Sequence, residues 1–215
     1  ARLAATQWRD RRRPLRLSYF TRLFRRTARS DSRSREFFQA GAELIGVRDP
    51  QADAEVIALA SEVLCDAGIG EFQVNVGHAE LLQRVLKLLE LPAEGEQQLL
   101  EALQRQDLVA VRRLLEQAAS PAAPTVSELL LSFEAEGDMK GQLEVFEELG
   151  VGDELLEELR QLAAYLDAYD LEPRPRLDIT LVRDLDYYTG IVFELYSVNT
   201  GSLLGGGGRY DELIG

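Results

Sequence analysis

Apolar and polar residues alternate from Leu15 to Phe24, with Leu15, Leu17 and Tyr19 set against Arg16, Ser18 and Phe20. A period of two predicts a half-buried strand, and Phe37 to Ile45 reads as its antiparallel neighbour, so the pair predicts a hairpin. The period then changes. Behind Asp49-Pro50, a helix-start signal, Ala54, Ile57, Ala58, Ser61 and Leu64 recur at helical spacing as far as Gly68. Phe72, Val74 and Val76 return to alternation and predict a short strand ending at Gly77-His78.

From Ala79 to Leu171 the pattern is helical almost throughout, with leucine stripes such as Leu81, Leu82, Val85, Leu88, Leu89 and later Leu155, Leu156, Leu159, Leu162, Leu166. Breaks are predicted at Pro92, at Ser120 to Pro124 and at Gly150 to Gly152. No heptad persists across them, so the stripes read as packing faces of an inserted helical segment rather than a coiled coil. One exposed face of that segment is left to dock a partner. Pro173-Arg174-Pro175 forms a rigid connector into a predicted strand over Leu177 to Leu181, and Ile191, Val192, Phe193, Leu195 and Tyr196 form a further β-rich run. The glycines from Gly205 to Gly208 lack a following lysine-threonine pair and a helix, which excludes a phosphate loop and predicts a strand that approaches a ligand closely. The expected organisation is therefore α+β: residues 1–78 as the first part of a sheet-containing core, 79–172 as a mostly helical insertion, and 173–215 as the return to the core.

With 215 residues and 46% hydrophobic content the chain can bury a core. Its one cysteine, Cys65, cannot form an internal disulfide and falls in an apolar helical pattern, so a buried structural thiol is expected. No apolar run is long enough to span a bilayer, and the arginine-rich start lacks a signal-peptide core; no membrane association and a cytoplasmic location are the expectation. The net charge of −13 is unevenly spread. Residues 1 to 35 hold twelve arginines against Asp10 and Asp31, a local balance of +10 that leaves −23 for the rest. Arg11-Arg12-Arg13-Pro14 reads as a solvated turn and other arginines alternate outward on strands. The acidic body argues against broad nucleic-acid affinity, which depends on neutralising phosphates.

Candidate chemistry concentrates near the C-terminal end, where Arg183, Asp184, Asp186, Tyr187 and Tyr188 precede the β-rich run. An arginine and two adjacent tyrosines suit a pocket for a small polar, aromatic ligand, with the guanidinium facing an anion. Asp186 and Glu194 stand too far apart along the chain for a catalytic dyad, and ion pairing or hydrogen bonding is expected instead. His78 is the lone histidine, with no second ligand at metal spacing; a helix-capping or core role is expected, and no metal site.

The stretch Arg183-Asp184-Leu185-Asp186-Tyr187-Tyr188-Thr189, followed by Gly207-Gly208-Arg209-Tyr210-Asp211, resembles the signature of histidyl-tRNA synthetases. Phe24-Arg25 and Arg35 to Gly46 resemble motif 2 of class II synthetases, two antiparallel strands joined by a variable loop. The resemblance implies a class II synthetase-like α+β core with an antiparallel sheet flanked by helices and a helical insertion. It implies a histidine site at Gln39, Glu43, Arg183, Tyr187 and Tyr188, and a possible phosphate or nucleotide remnant at Arg25, Arg33 and Arg35. Family members begin upstream with motif 1 and a Pro-Glu-x-Thr or Pro-Asp-x-Thr element and continue into motif 3, so this chain reads as the middle of a larger protein.

The family holds true synthetases and a paralog without aminoacylation activity, the regulatory subunit of ATP phosphoribosyltransferase. The motif 2 glutamate that accepts a hydrogen bond from the adenine amino group is replaced here by Thr27. A shorter, uncharged hydroxyl weakens adenine orientation and with it adenylate formation. Arg35 to Gly46 and Asp53 to Ala60 also look more like the regulatory subunit. The resemblance therefore implies a non-catalytic subunit without a cofactor, partnered with the short-form phosphoribosyltransferase, self-associating as a dimer and responding to histidine as effector. Two alternatives stay open: a histidine-tRNA ligase that binds tRNA, and a module that kept the fold and lost the ligand because Asp184 stands where the signature has glycine.

Overall fold

A computed structural model describes residues 2–24, 36–105, 107–131, 139–181 and 187–213. A short helix α1 (Arg2–Thr6) precedes the hairpin of β1 (Leu15–Phe24) and β2 (Glu36–Ile45). The two strands pair antiparallel along their whole length, from Leu15 opposite Ile45 to Phe24 opposite Glu36. Helix α2 (Pro50–Asp66) follows, and its start is set by Asp49, whose carboxylate accepts from the Gln51 amide at 2.7 Å. Such a cap satisfies one amide that has no partner inside the helix. Ala54, Ile57, Ala58 and Ser61 are buried on one face, as the spacing predicts.

The second sheet runs β4 (Arg176–Leu177), β3 (Phe72–His78), β5 (Ile191–Ser197), β6 (Leu203–Gly208), antiparallel except for the short parallel pair β3/β4. Alternation divides its faces. Phe72, Val74 and Val76 with Ile191, Phe193 and Leu195 are buried in the core, while Gln73, Asn75, Glu194 and Tyr196 form the half-buried opposite face. Between β3 and β4 lie α3 (Leu81–Lys87), α4 (Ala93–Gln104), α5 (Leu108–Leu115), α6 (Ala123–Leu131), α7 (Met139–Glu148) and α8 (Asp153–Ala168). Their leucine stripes pack as helix faces, α8 against both α2 and α7, in one core continuous with the sheet. The α4/α5 break, which no proline or glycine marks, is made by Asp107 accepting from the Ala110 amide at 3.0 Å.

Three local expectations are overturned. Cys65 is exposed rather than buried. The fully buried stripe of α2 ends at Ser61; in the last turn only Leu64 still packs on the core edge, with Glu62, Val63 and Cys65 in solvent. The strand over Leu177 to Leu181 stops at Leu177, because the Asp178 carboxylate accepts from the Thr180 amide (2.8 Å) and hydroxyl (2.7 Å) and turns the chain away. Arg13 is not a freely solvated residue of its turn: its stem packs over Gly46, where φ is +97°. Arg16 and Arg22 do point outward, into ion pairs with Glu55 (2.6 Å) and Glu36 (2.7 Å). Among the described residues, no helix is long and apolar enough to cross a membrane.

Candidate functional site

The hairpin, α2 and the β5/β6 end of the second sheet enclose a cleft of about 1320 Å³. Period-two spacing on β2 sends Gln39, Gly41 and Glu43 to one face, and antiparallel pairing sets Tyr19 of β1 opposite Gly41. The Gln39 amide donates to the Tyr19 hydroxyl at 2.6 Å. From the other wall, the Tyr210 hydroxyl donates to the Glu43 carboxylate. Tyr187 and Tyr188 stand with ring centroids 4.6 Å apart, and each lies 6.3 to 6.4 Å from Tyr210. Four of the residues named from the sequence, Gln39, Glu43, Tyr187 and Tyr188, thus line one cleft although they are separated by almost 150 positions. Arg183 lies outside the described residues, as do Arg25, Arg33, Arg35, Thr27, Asp184 and Asp186.

The electrostatics follow from burial. Loss of water pushes the Glu43 carboxyl above its ordinary value, because the ionised form is poorly solvated there. Burial likewise raises the Tyr188 phenol, helped by the hydroxyl of Tyr187 and the carboxylates of Glu43 and Glu194, so it stays protonated and can donate. Arg48 pairs with Asp211 at 3.2 Å at the rim. A carboxylate at the wall of a tyrosine box suits a planar polar group that donates a hydrogen bond or carries positive charge.

Sequence reasoning passed over Arg209 and Asp53, which line the same cleft, and Glu158, their neighbour on α8. Arg209 reaches Asp53 of α2 through both Nε (3.2 Å) and its terminal nitrogen, and Glu158 of α8 through the other. The signal available was the Arg-Tyr-Asp run at the end of the glycine strand; nothing in the sequence marked Asp53 or Glu158 as its partners. His78 is buried in the core, and its Nδ1 accepts from the Glu80 amide at 3.1 Å just ahead of α3, within the helix-capping or core role expected of it. Glu194 accepts from the Tyr196 hydroxyl. No group of three or more His, Cys, Asp or Glu among the described residues is arranged to hold a metal ion.

Comparison with known proteins agrees with this architecture. The ATP phosphoribosyltransferase regulatory subunit of Desulforamulus reducens is 38% identical over all 215 residues, which span 54% of that protein. The chain therefore covers about half the length of the curated relatives it matches. A crystal structure described as an ATP phosphoribosyltransferase regulatory subunit/histidyl-tRNA synthetase from Bacillus halodurans superposes with a TM-score of 0.84 at 32% identity, over 99% of this chain and 56% of that one. A chain of the ATP phosphoribosyltransferase complex from Thermotoga maritima shares the fold at 20% identity and a TM-score of 0.69, over 94% of this chain and 71% of that one. The family model for histidyl-tRNA synthetase matches residues 1–215. With that family model matched over all of its residues, the chain belongs to the histidyl-tRNA synthetase family.

Proposed function

We propose that this chain is part of a regulatory subunit of ATP phosphoribosyltransferase, performing no chemistry of its own and acting in the cytoplasm on the first step of histidine biosynthesis. Its partner in this reading is the short-form catalytic subunit, and a second copy of the regulatory chain completes a dimer. Histidine is the effector, held at Gln39, Glu43, Tyr187 and Tyr188 with Arg183 facing its carboxylate. The observation that carries the reading is the pairing of a kept ligand cleft with a lost nucleotide contact: Glu43 and the tyrosines converge, whereas Thr27 stands where the synthetases hold adenine with a glutamate. The segments 1–78 and 173–215 supply the cleft, and 79–172 offers the surface through which occupancy is communicated.

Physically, regulation is a linkage. Histidine inhibits the partner only if it binds one state of the assembly better than another, with a coupling of roughly 1 to 3 kcal/mol. The test is to purify the full-length protein with the short phosphoribosyltransferase and assay the latter with and without it, then with histidine. Stimulation on addition and inhibition by histidine support the reading. Histidine-dependent ATP–pyrophosphate exchange by the full-length protein alone would instead identify a histidine-tRNA ligase.

A further inference from the structure

Arg209 is the centre of a charged cluster that starts in the wall of the cleft, which Arg209 and Asp53 line, and runs from there to Glu158 and His78. Its side chain is 9% exposed and lies between Asp53 on α2 and Glu158 on α8. The second oxygen of Glu158 faces His78 Nε2 at 3.6 Å. Because Nδ1 of that ring accepts an amide proton from Glu80, Nε2 carries the ring proton and directs it at Glu158. One guanidinium therefore ties the end of β6 to α2 and α8, and Glu158 extends the link to His78 at the end of β3. Gly190 leaves the side chain room, since a Cβ there would stand 3.3 Å from it, a tight contact.

The backbone of Arg209 is fixed as firmly. Its amide donates to the Ile191 carbonyl at 2.8 Å, and its carbonyl accepts from the Thr189 amide at 2.9 Å, directly after the tyrosine pair. The next residue, Tyr210, sends its hydroxyl the other way, onto Glu43 in the cleft. Neighbouring side chains of one short segment thus reach two places at once: the helical segment and the ligand wall. Two carboxylates around one guanidinium form an uneven set of charges, and a fold that needed only stability here would be served as well by apolar residues.

We propose that Arg209 and Glu158 are positioning residues that couple the ligand cleft to the helical segment: Glu158 holds Arg209, and Arg209 holds Tyr210 on Glu43. A ligand that competes for Glu43 or displaces Tyr210 loads α8 through this joint, and by reciprocity a partner that shifts α8 alters ligand affinity. The inference rests on the reading of the cleft as a histidine site.

The experiment uses the full-length protein as wild type, Glu158→Gln, Arg209→Lys and, as a control at an exposed ion pair of the same helical segment, Glu147→Gln. Histidine affinity is measured by calorimetry, amide exchange across α8 is followed with and without histidine, and thermal melts confirm that each variant is folded. Wild type and Glu147→Gln should bind alike and slow exchange in α8 on binding. Glu158→Gln and Arg209→Lys should bind roughly tenfold more weakly and lose the α8 response while remaining folded. Wild-type affinity together with an undiminished α8 response in both folded variants would overturn the joint alone. Absence of any heat with the wild type would overturn the histidine reading, and the joint with it.

Discussion

Burial holds the Glu43 carboxyl above the ordinary carboxylate range, so the ionised form that an imidazole or amine would use is the form the fold tolerates least. Removing the charge but keeping the acceptor separates the two demands. Glu43→Gln can still accept from Tyr210, and it should raise the melting midpoint by about 1 to 2 °C while weakening histidine binding roughly tenfold or more. Calorimetry and a thermal melt on the same preparation check both halves; a variant that loses stability and keeps affinity contradicts the argument. The sign of the pH dependence follows from the same group. A raised pKa means that Glu43 takes up its proton at a pH above the usual carboxylate range, so affinity for histidine should begin to fall there as pH is lowered, and Glu43→Gln should lack that limb.

At the scale of elements, the edge of β4 is closed by a side chain instead of a strand. Gln142 of α7 donates to the Leu177 carbonyl at 3.1 Å and accepts from the Leu177 amide at 2.9 Å, the same two bonds a neighbouring strand would make. Gln142→Leu keeps the bulk and removes both. It should cost about 2 kcal/mol, since both backbone groups sit where water replaces the amide poorly, and the Leu177 amide should exchange faster than its neighbours in β3. Unaltered exchange at Leu177 would show that the clamp carries no load. Contacts of this kind explain what the sequence could and could not reveal. The hairpin, α2, β3 and β5 are legible because each repeats its apolar residues at its own period and is closed by a local signal such as Asp49-Pro50. Gln39 and Glu43 were named by the resemblance alone; the strand period only adds that, four positions apart, they share one face of β2. The failure over Leu177 to Leu181 came from Asp178, whose side chain competes with the ladder, and Cys65 misled because periodicity does not say where a helix outruns its partner. The Arg209 cluster was illegible, its partners lying 156 and 51 positions away with nothing local to mark them.

For the molecule as a whole, that cluster sets how the fold should respond to acid. His78 and Arg209 hold the Glu158 carboxyl at about 2, against an ordinary value of 4.5, with the imidazole N–H the larger cause. Arg209 is disfavoured by burial and more than compensated by its two carboxylates, whereas Asp53 is lifted by burial and by the nearby charge of Glu158, although Arg209 pulls it down. The two acids therefore have opposite signs. Glu158 ionises more readily in the fold than in the unfolded chain, so its contribution is complete above about pH 4.5 and is lost as pH falls toward 2. Protonation of Asp53 favours the fold and offsets part of that loss. At about 1.4 kcal/mol per unit, reduced because Glu158 is a quarter exposed, its contribution is on the order of 2 kcal/mol. A net charge of −13 works the other way at first, since mild acid relieves self-repulsion, so stability should change little from pH 7 to 5 and then drop steeply. Glu158→Gln should lower the midpoint of the full-length protein by a few degrees at pH 7 and show a shallower decline between pH 4.5 and 2, so that the two melting curves converge in acid. If they stay parallel through that window, the acid response belongs to other carboxylates, and Arg209 is held by Asp53 alone.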